Sequence, residues 1–224
     1  MSCDLSICAR LPLTPHPAVL VVDDDAAYLQ AMPPTLVRKF PDAVVETCSS
    51  AREATAKLVD GHYDVAIADL TMPELDGFAV LAETLAVRPC TSVLLVTGKK
   101  DAALAERGFR QGAFDFVAKP FDLQRLLWSV QLGIKAHRFR RRIEERRLYM
   151  MQIQEVAHRR WEEPLFAKPG DAVNSRSLMD AAYDRLIASA TRTEKLIQRT
   201  ERVLRRMQHQ VHKQALSRVR DQRV

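Results

Sequence analysis

Tyr63-Asp64-Val65-Ala66-Ile67-Ala68-Asp69-Leu70-Thr71-Met72-Pro73-Glu74-Leu75-Asp76-Gly77-Phe78 decides how the rest of this chain is read. An alternating apolar run delivers one carboxylate, Asp69, to its carboxyl end, and a Met-Pro turn then leads into a new helix at Asp76-Gly77. Such a run, with Val65 and Ile67 on one face, predicts a buried strand of an α/β sheet. In open α/β sheets, reactive groups gather just beyond the carboxyl ends of the strands. Asp69 is therefore the first candidate functional residue.

On the amino-terminal side, Ala18-Val19-Leu20-Val21-Val22 is a continuous apolar run that ends abruptly in Asp23-Asp24-Asp25, the pattern of a strand buried on both faces. Residues 26–40 then carry Tyr28, Leu29, Met32, Leu36 and Phe40 near helical spacing, with Pro33-Pro34 in the middle. An interior proline costs about 3 kcal/mol, so this helix is expected to break or bend near Met32. Residues 43–48 read as a second strand, and 51–60 as a helix capped by Ser49 or Ser50 and stopped by Gly61. Beyond the opening stretch come a helix over 77–87, a strand over 92–97, a helix over 102–111 and a strand over 115–118. Lys119-Pro120 follows, and a further helix begins near Asp122. Five strands alternating with helices predict an α/β fold, a parallel sheet covered on both faces, with strand order left open.

The strand ends carry chemistry: Asp23, Asp24 and Asp25 after the first, Asp69 after the third, Thr97 after the fourth, Lys119 after the fifth. In a parallel sheet all four ends lie on one edge. Each alone has a plain explanation, a helix cap or a solvated lysine, but their convergence argues for a site. Carboxylates so close repel one another and either raise a pKa or hold a hard divalent cation, for which Mg²⁺ is the natural tenant. With a cation and Lys119 pairing the oxygens of an incoming phosphoryl group, Asp69 reads as a nucleophile that forms an aspartyl phosphate, and Thr97 as a hydroxyl able to bond it.

On the motifs VLVVDDD (19–25), DVAIADLTMPELDGF (64–78), LLVTG (94–98) and GAFDFVAKPF (112–121), residues 18–121 resemble the response-regulator receiver domains of two-component signalling. The resemblance implies a doubly wound, flavodoxin-like sheet and a phosphoacceptor signalling protein rather than an enzyme acting on a separate substrate. It implies phosphorylation of Asp69 by a histidine kinase or phosphotransfer protein. The Mg²⁺ ligands it implies are Asp23, Asp24, Asp69 and the backbone carbonyl of Thr71, with Asp25 adjacent. It further implies that Thr97 is the switch hydroxyl, Lys119 the phosphate partner and Phe116 the aromatic that moves with Thr97. Pro33-Pro34 in the first helix and Gly98 after Thr97 depart from the family's usual pattern.

Charge divides the chain. Residues 1–120 hold 11 Lys+Arg and 16 Asp+Glu, net −5; residues 121–224 hold 23 and 12, net +11, giving the overall +6. The strand-like runs all lie in the acidic half. The expected organisation is a loose leader over 1–17, a receiver over 18–135 and a helical effector or dimerisation region over 136–224. Four cysteines without CxxC pairing and no long apolar run point to a cytoplasmic protein without disulfides.

In the basic half, Leu127, Val130, Ile134, His137, Arg141, Glu144, Leu148 and Met151 form a seam with a polar centre, a weak coiled coil in which Arg141 and Glu144 set register. A break is expected at Glu163-Pro164 and 168–171, with Asn174, Ser175 or Ser177 capping the next helix. That helix carries an uncharged stripe, Met179, Tyr183, Leu186, Ala190, Thr193, Ile197, Thr200, Leu204, Met207 and Val211. Such a stripe needs a partner: the preceding helix, as a hairpin, or the same helix of a second subunit. A homodimer or a protein partner is thus the expected output.

Three other readings of this half bear weighing. Residues 138–147 (RFRRRIEERR) are basic enough for nucleic acid, but Glu144 and Glu145 interrupt them and no helix-turn-helix accompanies them. His158 loosely resembles the phospho-accepting histidine box of sensor kinases and so raises a phosphorelay intermediate; Arg159, however, stands where that box is acidic. Residues near 135–160 also resemble the linker that precedes metal-dependent phosphodiesterase domains in some response regulators, yet no His-Asp cluster follows.

Overall fold

A computed structural model describes residues 14–73, 76–99, 101–162 and 172–221. Five strands, β1 (Ala18–Val22), β2 (Val44–Cys48), β3 (Val65–Asp69), β4 (Ser92–Thr97) and β5 (Asp115–Ala118), form one parallel sheet in the order β2-β1-β3-β4-β5. The helices are α1 (Ala26–Lys39), α2 (Ala51–Asp60), α3 (Gly77–Val87), α4 (Ala102–Arg110), α5 (Leu123–Glu162) and α6 (Ala172–Asp221).

The period of two along each strand divides the core into two layers. Leu20, Val22, Ala66, Ala68, Val93, Leu95 and Phe116 point to one face and pack with Ala54, Leu58, Leu81 and Ala105 from α2, α3 and α4. Val19, Val21, Val65, Ile67, Leu94, Val96 and Val117 point to the other and meet Met32 and Leu36 of α1 and Leu126, Leu127, Val130 and Ile134 of α5. Central strands buried on both sides explain the continuous apolar runs in the sequence.

The helix that was expected to break at Met32 does not. α1 runs unbroken through Pro33 and Pro34. The prolines remove two N–H donors, but Met32 and Leu36 on either side of them are buried in the core, and that packing outweighs the lost bonds. Asp25 starts this helix as its N-cap, accepting from the Ala27 amide at 2.9 Å.

α5 is continuous from 123 to 162, so the boundary placed at 135 falls inside a helix. Its polar seam is buried against the sheet domain and not only against another helix. His137 Nδ1 lies 2.9 Å from the carbonyl oxygen of Cys90, and the neighbouring Arg138 donates to Asp64 at 3.0 Å. Arg141 is buried and pairs with Glu145 at 3.4 Å. The basic segment is therefore largely engaged within the chain: Arg140 bonds the Cys90 carbonyl, and Arg147 reaches Glu144 at 2.9 Å and, across to α6, Glu201 at 2.8 Å.

The expected break at 163–171 lies outside the described residues. α6 begins at Ala172, which places Asn174, Ser175 and Ser177 inside the helix instead of at its cap. The side chains of Met179, Tyr183, Leu186, Ala190 and His158 are also outside the described residues. Of the remaining stripe, Ile197 and Val211 are buried, while Met207 is exposed. Further along, Ala215 and Val219 are buried too, and the end of α6 lies against α4 and β5. The stripe's partner is thus in part α5 and in part the sheet domain itself. Among the described residues, no helix is long and apolar enough to cross a membrane.

Candidate functional site

The carboxyl edge of the sheet assembles the site. β1 and β3 are neighbours, so the residues that end them, Asp23 and Asp69, face one another across adjacent strand ends. β5 comes from the sheet's far side, and Lys119 spans the gap: its Nζ donates to Asp23 Oδ2 at 2.7 Å and to Asp69 Oδ1 at 3.0 Å. Both carboxylates are almost wholly buried, at 1% and 5% exposure. Burial alone would disfavour the Lys119 ammonium, but the hydrogen bonds from Asp23 and Asp69 prevail and hold its pKa above the usual lysine value.

The other oxygens of these carboxylates are also held. Asp23 Oδ1 accepts from the Asp25 amide at 3.0 Å, and Asp69 Oδ2 from the Thr71 amide at 2.6 Å. Gly77, the first residue of α3, lies directly against this strand end. A Cβ built there would fall 3.0 Å from the Asp69 carbonyl carbon and 3.1 Å from Leu70 Cα, so only glycine lets the helix start so close. Asp76 caps the same helix, accepting from the Ala79 amide at 3.1 Å.

Thr97 is fully buried at the end of β4. Its hydroxyl accepts from the Lys99 amide at 3.1 Å, and its carbonyl accepts from the Lys119 amide at 2.6 Å. That second bond ties Thr97 to the residue that bridges Asp23 and Asp69. Phe116 is buried three residues before Lys119 on the same strand. Asp24 is exposed beside Asp23, and Thr71 is exposed just beyond Asp69.

Sequence reasoning counted Tyr28 only as a helix core residue. It walls the site: Lys119 Nζ lies 4.6 Å from its ring centroid, and its edge meets Phe121 at 6.4 Å. Its buried hydroxyl has no hydrogen-bond partner, and burial, then the charges of Asp23 and Asp69, raises its pKa. The signal for it was available, since a helix that begins at the acidic strand end brings its first turn over the site.

Among the described residues, no three His, Cys, Asp or Glu side chains converge as a ready-made metal cage. The donor set nevertheless suits Mg²⁺, which keeps most of its waters and uses one or two carboxylates together with phosphate oxygens. Asp23 and Asp69 leave one negative charge uncompensated by Lys119, with Asp24 next to them.

The model of the response regulator receiver domain family matches residues 19–131, half of the chain. The C4-dicarboxylate transport transcriptional regulatory protein DctD of Rhizobium meliloti is 37% identical over 61% of this chain and 27% of its own length. The chemotaxis protein CheY of Listeria monocytogenes is 29% identical over 52% of this chain and 98% of its own. A crystal structure of a response regulator receiver domain protein from Clostridium thermocellum superposes with a TM-score of 0.52 at 29% identity, covering 55% of this chain and 98% of that one. The chain thus spans about a quarter of DctD and nearly all of CheY, and none of these matches assigns its long helical half.

Proposed function

Because this chain belongs to the response regulator receiver domain family, we propose that it is a response regulator phosphorylated on Asp69 by a histidine kinase or phosphotransfer protein. The observation that carries this reading is the bridge of one ammonium, Lys119, across two buried carboxylates at adjacent strand ends. A carboxylate oxygen of Asp69 attacks phosphorus. The donor's bond to phosphorus breaks as the Oδ–P bond forms, and the negative charge moves onto the phosphoryl oxygens. Lys119 follows that charge, exchanging its bond to Asp69 for one to a phosphoryl oxygen. Thr97, freed from the Lys99 amide, donates its hydroxyl to another.

Asp23, Asp24, Asp69 and the Thr71 carbonyl are the residues assigned to Mg²⁺, which when bound supplies charge neutralisation for the transferring group. Tyr28 closes the site from above and limits access of water to the acyl phosphate. The signal passes from the receiver, residues 18–135, to the helical region, residues 136–224, whose output is a homodimer or a protein partner. The exposed Tyr149, Met151, Leu196 and Val203 on the two long helices support an output by protein contact. The internal pairing of Arg138, Arg140, Arg141 and Arg147 weighs against nucleic acid as the partner.

Incubation with acetyl phosphate and Mg²⁺ tests this reading. The parent protein should take up label and Asp69→Ala should not. Equal labelling of the two would refute it.

A further inference from the structure

The end of α6 seats on the sheet domain along one specific face. The His212 ring stacks on Phe109 of α4 with centroids 3.9 Å apart and planes 18° from parallel. Ala215 and Val219, at 2% and 3% exposure, and the partly buried Leu216 continue the same stripe at helical spacing. Val219 belongs to the same packed cluster as Phe116, Ala105 and Ala113, and Leu216 packs against that cluster. A helix end distant in sequence is thus built into the core layer that contains β5.

β5 is also the strand that carries Lys119. Phe116 and Lys119 are three residues apart on one short segment, and the Lys119 amide is bonded to Thr97. The phosphoacceptor site and the seat of α6 therefore share a strand, and neither end of it has free space in which to move independently.

We propose that the α4–β5 face is a docking surface for an amphipathic helix, occupied in cis by residues 209–219, and that docking and phosphorylation of Asp69 oppose one another. This rests on Asp69 being the phosphoacceptor. The docked helix is complementary to the arrangement in which Lys119 bridges Asp23 and Asp69. Drawing Lys119 and Thr97 toward a phosphoryl group shifts β5 beneath Val219 and weakens the seat. Linkage makes the effect reciprocal: a docked helix lowers the affinity of the site for a phosphoryl mimic by the same factor that the mimic loosens the helix. Released, the stripe of His212, Ala215, Leu216 and Val219 becomes available to a partner only in the phosphorylated state.

The test uses the full chain, beryllium fluoride with Mg²⁺ as the phosphoryl mimic, and amide hydrogen exchange read over residues 209–219. The mimic should raise exchange there about tenfold, within the usual span of coupling between two sites. Leu216→Asp should raise it without the mimic and should bind the mimic more tightly by a similar factor. His212→Ala, which keeps the apolar seat intact and removes only the stacked ring, should do both to a smaller extent. Unchanged exchange over 209–219 on mimic binding, or equal mimic affinity in parent and both variants while Leu216→Asp frees the helix, would overturn the coupling. Failure of the parent and both variants to bind the mimic at all would instead overturn the phosphoacceptor reading on which the coupling rests.

Discussion

Gly77→Ala is the substitution whose consequence is worked out most fully by the geometry. The added methyl carbon would lie 3.0 Å from the carbonyl carbon of Asp69 and 3.1 Å from Cα of Leu70, closer still to the Asp69 carbonyl oxygen. Comfortable carbon contacts begin near 3.5 Å. All three opposing atoms are backbone, so no rotamer change relieves the overlap; either α3 backs away or the end of β3 moves. Overpacking of this kind costs about 1–3 kcal/mol, and with rigid backbone on both sides the upper end applies. For a domain of this size, a loss of about 3 kcal/mol lowers the melting temperature by roughly 10 °C.

The same displacement re-aims the Asp69 carboxylate, whose bonds to Lys119 and the Thr71 amide fix its direction. Phosphorylation by acetyl phosphate should therefore slow by an order of magnitude or more, as expected for a misplaced reacting group. Gly98→Ala is the internal control. A Cβ at Gly98 meets nothing within 4 Å, so stability and labelling should both stay near the parent's values. Calorimetry and initial labelling rates on the two variants separate the outcomes. If Gly77→Ala melts and labels like the parent, the close approach of α3 to the phosphoacceptor strand is not what holds the site.

Other perturbations probe the remaining contacts. Lys119→Met leaves two buried carboxylates facing each other without their cation, and urea unfolding in a chelator should show a loss of about 3 kcal/mol, largely restored by adding Asp69→Asn. His137 is kept neutral in the fold, its pKa pushed down to about 4 chiefly by burial, against the pull of Asp64 and with help from Arg140 and Arg141. The unfolded chain therefore takes up a proton first as pH falls below about 6.5, and stability declines until about pH 4; between pH 7 and 5 the loss should be about 2 kcal/mol, and His137→Asn should flatten that slope. Arg147→Met removes the ion pair to Glu201 and the cation beside buried Glu144, whose pKa burial already raises; faster amide exchange over the α5–α6 contact, with the melting of the sheet little changed, is the expected result.

The sheet domain was legible because its strands are buried on both faces. Runs such as Ser92–Thr97 and Asp115–Ala118 then have no reason to interleave polar residues, and their ends stand out as abrupt switches to Asp, Thr or Lys. The juxtaposition of Asp23, Asp69 and Lys119 follows from parallel strands placing their carboxyl ends on one edge. Pro33-Pro34 misled because local cost was weighed without the buried Met32 and Leu36 that hold α1 together. His137, Arg141 and Glu144 look like register charges of a coiled coil when only spacing is known; their partners, Cys90 among them, lie far away in sequence. The uncharged stripe of α6 is likewise silent about its partner, since a helix, a second subunit and the α4–β5 face all accept the same period. Tyr28 escaped notice because its helical position accounted for it without reference to Lys119.

Peptide mapping of the full chain after treatment with acetyl phosphate and Mg²⁺ tests the central claim most directly. One phosphoryl group should be found on the peptide containing Asp69, labile as an acyl phosphate and absent when a chelator replaces Mg²⁺. A stable phosphoryl group on another residue, or modification that persists in Asp69→Ala, would contradict the account.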